Sequence, residues 1–132
     1  MPVVTAFYAA LLALLCVLLS NLVIRQRRQK RVGLGDGGDA ALTQAIRAFG
    51  NFVEYTPLFV VLMALAEMLG TQRPWLHAYG ALFVAGRVAH AIGLSRTGRA
   101  SAGRLGGMVV TQFVLIALAV SLLVATLPQL AR

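Results

Sequence analysis

The sequence predicts an all-α integral membrane protein, a bundle of four spanning helices, and three observations carry that prediction. Of its 132 residues, 59% are hydrophobic, with a mean hydropathy of +0.81. Only 12% are charged, where a soluble domain would carry about 25%. The apolar residues also fall into long runs separated by short polar, glycine- or arginine-bearing stretches, as expected for helices crossing a core about 30 Å thick. The length has room for a single domain, residues 1–132.

The first apolar run, residues 3–24, is long enough to span at about 1.5 Å per residue. A signal peptide carries its cations before the apolar stretch. Here they follow it, as Arg25, Arg27, Arg28, Lys30 and Arg31, so the run reads as a retained span with its N-terminus outside. Asn21 either lines the interior or serves as an interfacial amide. Gly33 to Asp39 forms a glycine-rich turn, and no Gly-Lys-Ser/Thr follows it to make a phosphate loop. Asp39 is placed to cap the next helix at its positive end.

The second helix covers 40–69, amphipathic at first and almost wholly apolar from Leu58 to Leu65. Pro57 removes the amide that would bond the Val53 carbonyl and is expected to bend it. Glu67, near its far end, is expected to be interfacial and solvated. A turn from Gly70 to Pro74 leads to the third helix, 75–94, where Trp75, His77 and Tyr79 suit an interfacial aromatic belt. The fourth helix covers 105–127, with Thr111, Gln112 and Ser121 as polar interruptions.

The net charge of +8 sets twelve Lys/Arg against Asp36, Asp39, Glu54 and Glu67. Five cations lie in the first loop, three in the third, one in the second and none before the first helix. This is the distribution of the positive-inside rule, with both termini outside and loops one and three in the cytoplasm. It accounts for the basicity without nucleic acid. Cys16 sits within an apolar run as packing material, and no disulfide framework exists.

Four intramembrane residues break the apolar pattern on the second helix: Arg47, Asn51, Glu54 and Tyr55. Spacings of four and three put the first three on one helical face. On the third helix Arg87 and His90 are three apart. By helical rise, Arg47, Glu54, Arg87 and His90 lie in the cytoplasmic half, about 7 to 21 Å from that end. Charged side chains are costly there and normally face a protein interior or a wet cavity. One reading is a closed network in which Glu54 pairs with Arg87 or Arg47. The other is a binding site, because three cations face one acid and the surplus would be neutralised by an anionic ligand. A metal site is unsupported, since His90 has no second His at ligand spacing.

Three stretches together resemble the MAPEG family, the membrane-associated proteins in eicosanoid and glutathione metabolism, in its small bacterial form. They are Gly35-Asp-Gly-Gly-Asp39, Ala45-Ile-Arg47-Ala-Phe-Gly-Asn51-Phe-Val-Glu54-Tyr-Thr-Pro57-Leu and Gly86-Arg87-Val-Ala-His90-Ala-Ile-Gly93. The resemblance implies a homotrimer in the bacterial inner membrane, with glutathione sites between subunits on the cytoplasmic side. It implies a transferase, peroxidase or isomerase acting on lipophilic small molecules that enter from the membrane lipids. Arg47, Asn51 and Glu54 would hold the glutathione backbone, joined by Tyr55, Arg87 and His90. Arg25 resembles a basic residue reaching in from a neighbouring chain. The cation that lowers the thiol pKa would be Arg104, with Arg99 as the other candidate. Leu94 stands where eicosanoid-type members often have a tyrosine, and Phe49 and Gly50 replace polar residues of some relatives. The family also contains a non-catalytic lipid-binding or scaffold protein, which is the alternative reading.

Overall fold

The structure, a computed structural model, describes residues 1–96 and 101–131. It consists of four α-helices in chain order: α1 (Val3–Lys30), α2 (Ala40–Met68), α3 (Arg73–Arg96) and α4 (Ala102–Leu130). α1, α3 and α4 are longer than the sequence pattern marked, and α2 ends one residue before it. α1 continues six residues past the apolar run, because arginines and lysine in its last turns complement the negative end of the helix dipole. α3 begins at Arg73 and α4 at Ala102, and α4 passes through Pro128. α1, α2 and α4 are long and apolar enough to cross a membrane. α3 is long enough at about 1.5 Å per residue but more polar, since it carries Arg87, His77 and His90.

The turn after α1 is built by charge and glycine. Arg31 caps the helix at φ 55, and Gly35, Gly37 and Gly38 take positive φ values that side chains rarely adopt. Asp39 is the N-cap of α2, accepting from the Leu42 amide at 2.9 Å, and also pairs with Lys30 at 2.7 Å. Asp36 accepts from the Gly38 amide and the Thr43 hydroxyl. The backbone amide and hydroxyl hold the Asp36 carboxyl below its ordinary pKa, and Lys30 and the Leu42 amide do the same for Asp39.

At the opposite end, Glu67 is not solvated as its position in sequence implied. Its carboxylate accepts from the Val4 amide at 2.9 Å and from the Thr5 amide and hydroxyl at 2.7 Å each. α1 has no cap of its own at Pro2, so an acid from α2 satisfies its unpaired first-turn donors. His77 likewise does more than sit in an interfacial belt: its Nδ1 lies 3.2 Å from the Tyr8 hydroxyl. The Tyr8 ring rests on Gly80, where any Cβ would collide with it.

The core stacks Phe59 of α2 on Phe83 of α3, centroids 3.8 Å apart, with Leu12, Met63, Leu76, Val114 and Leu118 around them. α3 and α4 approach most closely. A Cβ on Gly107 would sit 2.6 Å from the His90 amide nitrogen, and one on Gly103 would sit 3.1 Å from the Ala89 carbonyl. Small residues at such crossings let two backbones meet, which is how helices associate where no water drives them together.

Candidate functional site

The close α3–α4 contact and the buried face of α2 enclose Arg87, which is only 2% exposed. Its Nε donates to the Thr111 hydroxyl at 3.0 Å, and Nη1 donates to the Asn51 side-chain oxygen at 2.7 Å and backbone carbonyl at 3.3 Å. Thr111 can accept because its own hydrogen goes to the Gly107 carbonyl at 2.8 Å. The Tyr55 and Phe83 rings lie 5.5 and 5.9 Å from the guanidinium carbon, within cation–π range. Nη2 is buried with no hydrogen-bond partner.

The network in which Glu54 quenches Arg87 or Arg47 does not form within the chain. Among the described residues the ion pair within 4 Å is Lys30–Asp39, and Glu54 is exposed on α2. Arg87 is therefore a buried cation held by neutral oxygens, an arrangement that leaves its charge largely uncompensated.

Beside it, α2, α3 and α4 form a polar cleft of about 270 Å³ lined by Arg47, Asn51, His90, Leu94, Arg104, Leu105 and Met108. It adjoins a second hollow of about 360 Å³ toward the start of α2, lined by Ala40, Thr43, Gln44, Arg47, Leu94 and Arg104. Arg47, Leu94 and Arg104 are common to both, and among the described residues no acid lines either. Arg104 lies in the first turn of α4, which Ser101 caps by accepting its amide at 3.3 Å. The Arg104 carbonyl is 2.8 Å from His90 Nδ1. A carbonyl only accepts, so Nδ1 carries the hydrogen and Nε2 is the acceptor of the neutral ring. A larger apolar groove of about 430 Å³ between α1 and α2, reaching Cys16 and Pro57, has no charged residue.

The fold thus brings Arg47, Asn51, His90 and Arg104 to one cleft and buries Arg87 behind Asn51. Tyr55 is half-buried against Arg87, its hydroxyl accepting from Gln112 at 3.4 Å. Glu54 and Arg25 are exposed and line neither hollow. Arg99 lies outside the described residues. Sequence reasoning did not find Thr111 as the partner of Arg87. A threonine within an apolar run was the signal, and its i−4 carbonyl bond leaves the oxygen to accept.

The MAPEG family profile matches residues 5–124 of the chain. Over 90 residues the chain is 47% identical to the inner membrane protein YecN of Escherichia coli strain K12, covering 68% of this chain and 69% of that protein. The YecN of Escherichia coli O6:H1 matches to the same extent. A profile match over most of the length, with this level of identity, shows that the chain belongs to the MAPEG family.

Proposed function

We propose that the protein is a membrane-bound, glutathione-dependent transferase that conjugates lipophilic electrophiles. The observation that carries this reading is the cleft lined by Arg47, Asn51, His90 and Arg104, with two guanidinium groups and no acid on its walls. Ligand pockets typically measure about 300–1,000 Å³, and the two adjoining hollows together offer room of that order. A tripeptide with two carboxylates suits that cation surplus, with the Asn51 amide available to its backbone. The exposed Glu54 and Arg25 are free to complete such a site across a subunit boundary in a homotrimer, Glu54 meeting the ammonium group.

The glutathione thiol has an ordinary pKa of about 8.5, and a nearby guanidinium favours the thiolate. Arg104 fills that role. The thiolate then attacks an electrophilic carbon, forming a sulfur–carbon bond, while the leaving group departs with its bonding pair. The thiol proton passes to water. The second substrate partitions into lipid and reaches the site from there, which gives the enzyme its reason to be in a membrane. The relative's location supports the bacterial inner membrane, and the loop charges support both termini outside with the cleft toward the cytoplasm.

Leu94, buried in the wall of both hollows, favours a second reading, a non-catalytic lipid- or glutathione-binding scaffold, because it offers no hydroxyl to a thiolate. Calorimetric titration with glutathione in detergent, followed by titration of the bound thiol, separates the readings. Binding with a lowered thiol pKa and conjugation of a chlorodinitrobenzene-type electrophile support the transferase. Binding with an unshifted thiol supports the scaffold, and no binding removes both glutathione readings.

A further inference from the structure

A second cationic surface lies outside the cleft, at the end of α1. Ile24, Arg27 and Arg28 share one face of the last turns of α1, and Arg31 is the left-handed residue that caps it. With Val32 and Gly33 they line a hollow of about 450 Å³. The left-handed Arg31 turns the chain back so that Gly33 faces the arginines, and its carbonyl accepts from Arg27 Nη1 at 3.2 Å. Lys30 is the cation of this segment that finds a carboxylate among the described residues, leaving three guanidinium groups around the hollow without an acid. Apolar groups stand beside them: Ile24 is 43% exposed, and Leu34 in the following turn is 92% exposed. Membrane topology asks for cations after a span. It does not ask for three of them to be gathered around one hollow with an apolar wall.

We propose that this hollow binds the phosphate of an anionic phospholipid. The guanidinium groups of Arg27, Arg28 and Arg31 meet the phosphodiester, with Ile24 and Leu34 against the upper acyl chain. A lipid is the occupant, and not a soluble phosphate, because the cations end an apolar span and Leu34 otherwise projects a bare side chain at the membrane surface. The site shares no residue with the glutathione cleft and does not depend on it.

The test is native mass spectrometry of the full-length protein in detergent, titrated with phosphatidylglycerol or with phosphatidylcholine of the same chains. Phosphatidylglycerol is expected to be retained preferentially. Retention should weaken about thirtyfold in Arg28→Gln/Arg31→Gln, at roughly fivefold for each cation. Arg73→Gln, the loss of one cation at the opposite end, should leave it unchanged, with circular dichroism confirming helix content in all variants. Equal retention of the two lipids, or full retention by the double variant, overturns the proposal. Displacement by glycerol 3-phosphate at equal concentration, or tighter binding of a DNA oligonucleotide, also overturns it by assigning the surface to a soluble anion.

Discussion

Asn51 accepts a 2.7 Å hydrogen bond from Arg87, joining a half-buried amide on α2 to a guanidinium on α3 that is 2% exposed. No carboxylate shares the task within ion-pair distance among the described residues. Asn51 is therefore both a wall of the cleft and the support of the cation behind it. Replacing it with Leu leaves Nη1 with only the long backbone contact. Asn51→Leu is expected to cost about 1–3 kcal/mol, the range for stranding a buried polar donor. Thermal unfolding in detergent measures this, and Arg47→Leu, at an exposed position, should move the midpoint far less.

The proposed ligand contacts can be removed without touching the core. Glu54 and Arg47 are both exposed on α2. Glu54→Gln and Arg47→Ala should each weaken glutathione binding by about 1.5–3 kcal/mol, roughly ten- to over a hundredfold. Calorimetry reads the affinity and sedimentation the assembly, which should be unchanged. Unaltered affinity in both variants would remove them from the site.

Arg104 should act on the thiol more than on affinity. Arg104→Ala is expected to raise the pKa of bound glutathione toward its free value of about 8.5, each unit being about 1.4 kcal/mol of lost preference for the thiolate. Ultraviolet absorbance of the thiolate against pH follows this directly. A profile identical to that of the unsubstituted protein would take Arg104 out of the chemistry.

Glycine at the α3–α4 crossing makes a sharper prediction about packing. Gly107→Ala places a methyl group 2.6 Å from the His90 amide and should destabilise by about 1–3 kcal/mol. Gly106, one residue earlier, has open space around a built Cβ. Gly106→Ala should be neutral or stabilising by up to about 1 kcal/mol, the helix-propensity difference. The pair is compared by thermal unfolding in one detergent.

Acid should loosen the start of α2 before the rest. The Asp39 carboxyl is held below its ordinary value of 3.8 by Lys30 and the Leu42 amide. The folded chain thus holds this proton less readily than the unfolded chain does. The stabilisation is complete above about 3.8 and is lost as pH falls through the lower folded value. Protection of the Leu42 amide from hydrogen exchange, corrected for the intrinsic rate, should be flat above that point and fall below it. Asp39→Asn keeps a capping oxygen and should flatten the profile.

What could be read in the sequence was whatever depends on local chemistry. The four apolar runs, the Asp39 cap and the glycine turn were visible because hydropathy, capping and positive φ are properties of neighbouring residues. Helix ends were misjudged where charge replaced hydropathy, as at Arg25 to Lys30, since a helix can continue into water when its last turn is basic. Long-range partners were a harder matter. An acid in an apolar helix left open a closed network in which Glu54 pairs with Arg87 or Arg47, yet the fold offers Arg87 the neutral oxygens of Asn51 and Thr111. Likewise Glu67 and Thr5, 62 residues apart, meet only because two antiparallel helices end at one level.

The Glu67 contact also bears on the order in which the molecule comes together. The ribosome delivers the first turn of α1 long before residue 67, and until then only water can satisfy the Val4 and Thr5 amides. The clasp joins α1 to α2 directly, both of its halves lying within the first two helices. A segment ending at Gly70 contains both halves of that clasp, whereas one ending before Glu67 lacks the acceptor for the first-turn amides of α1.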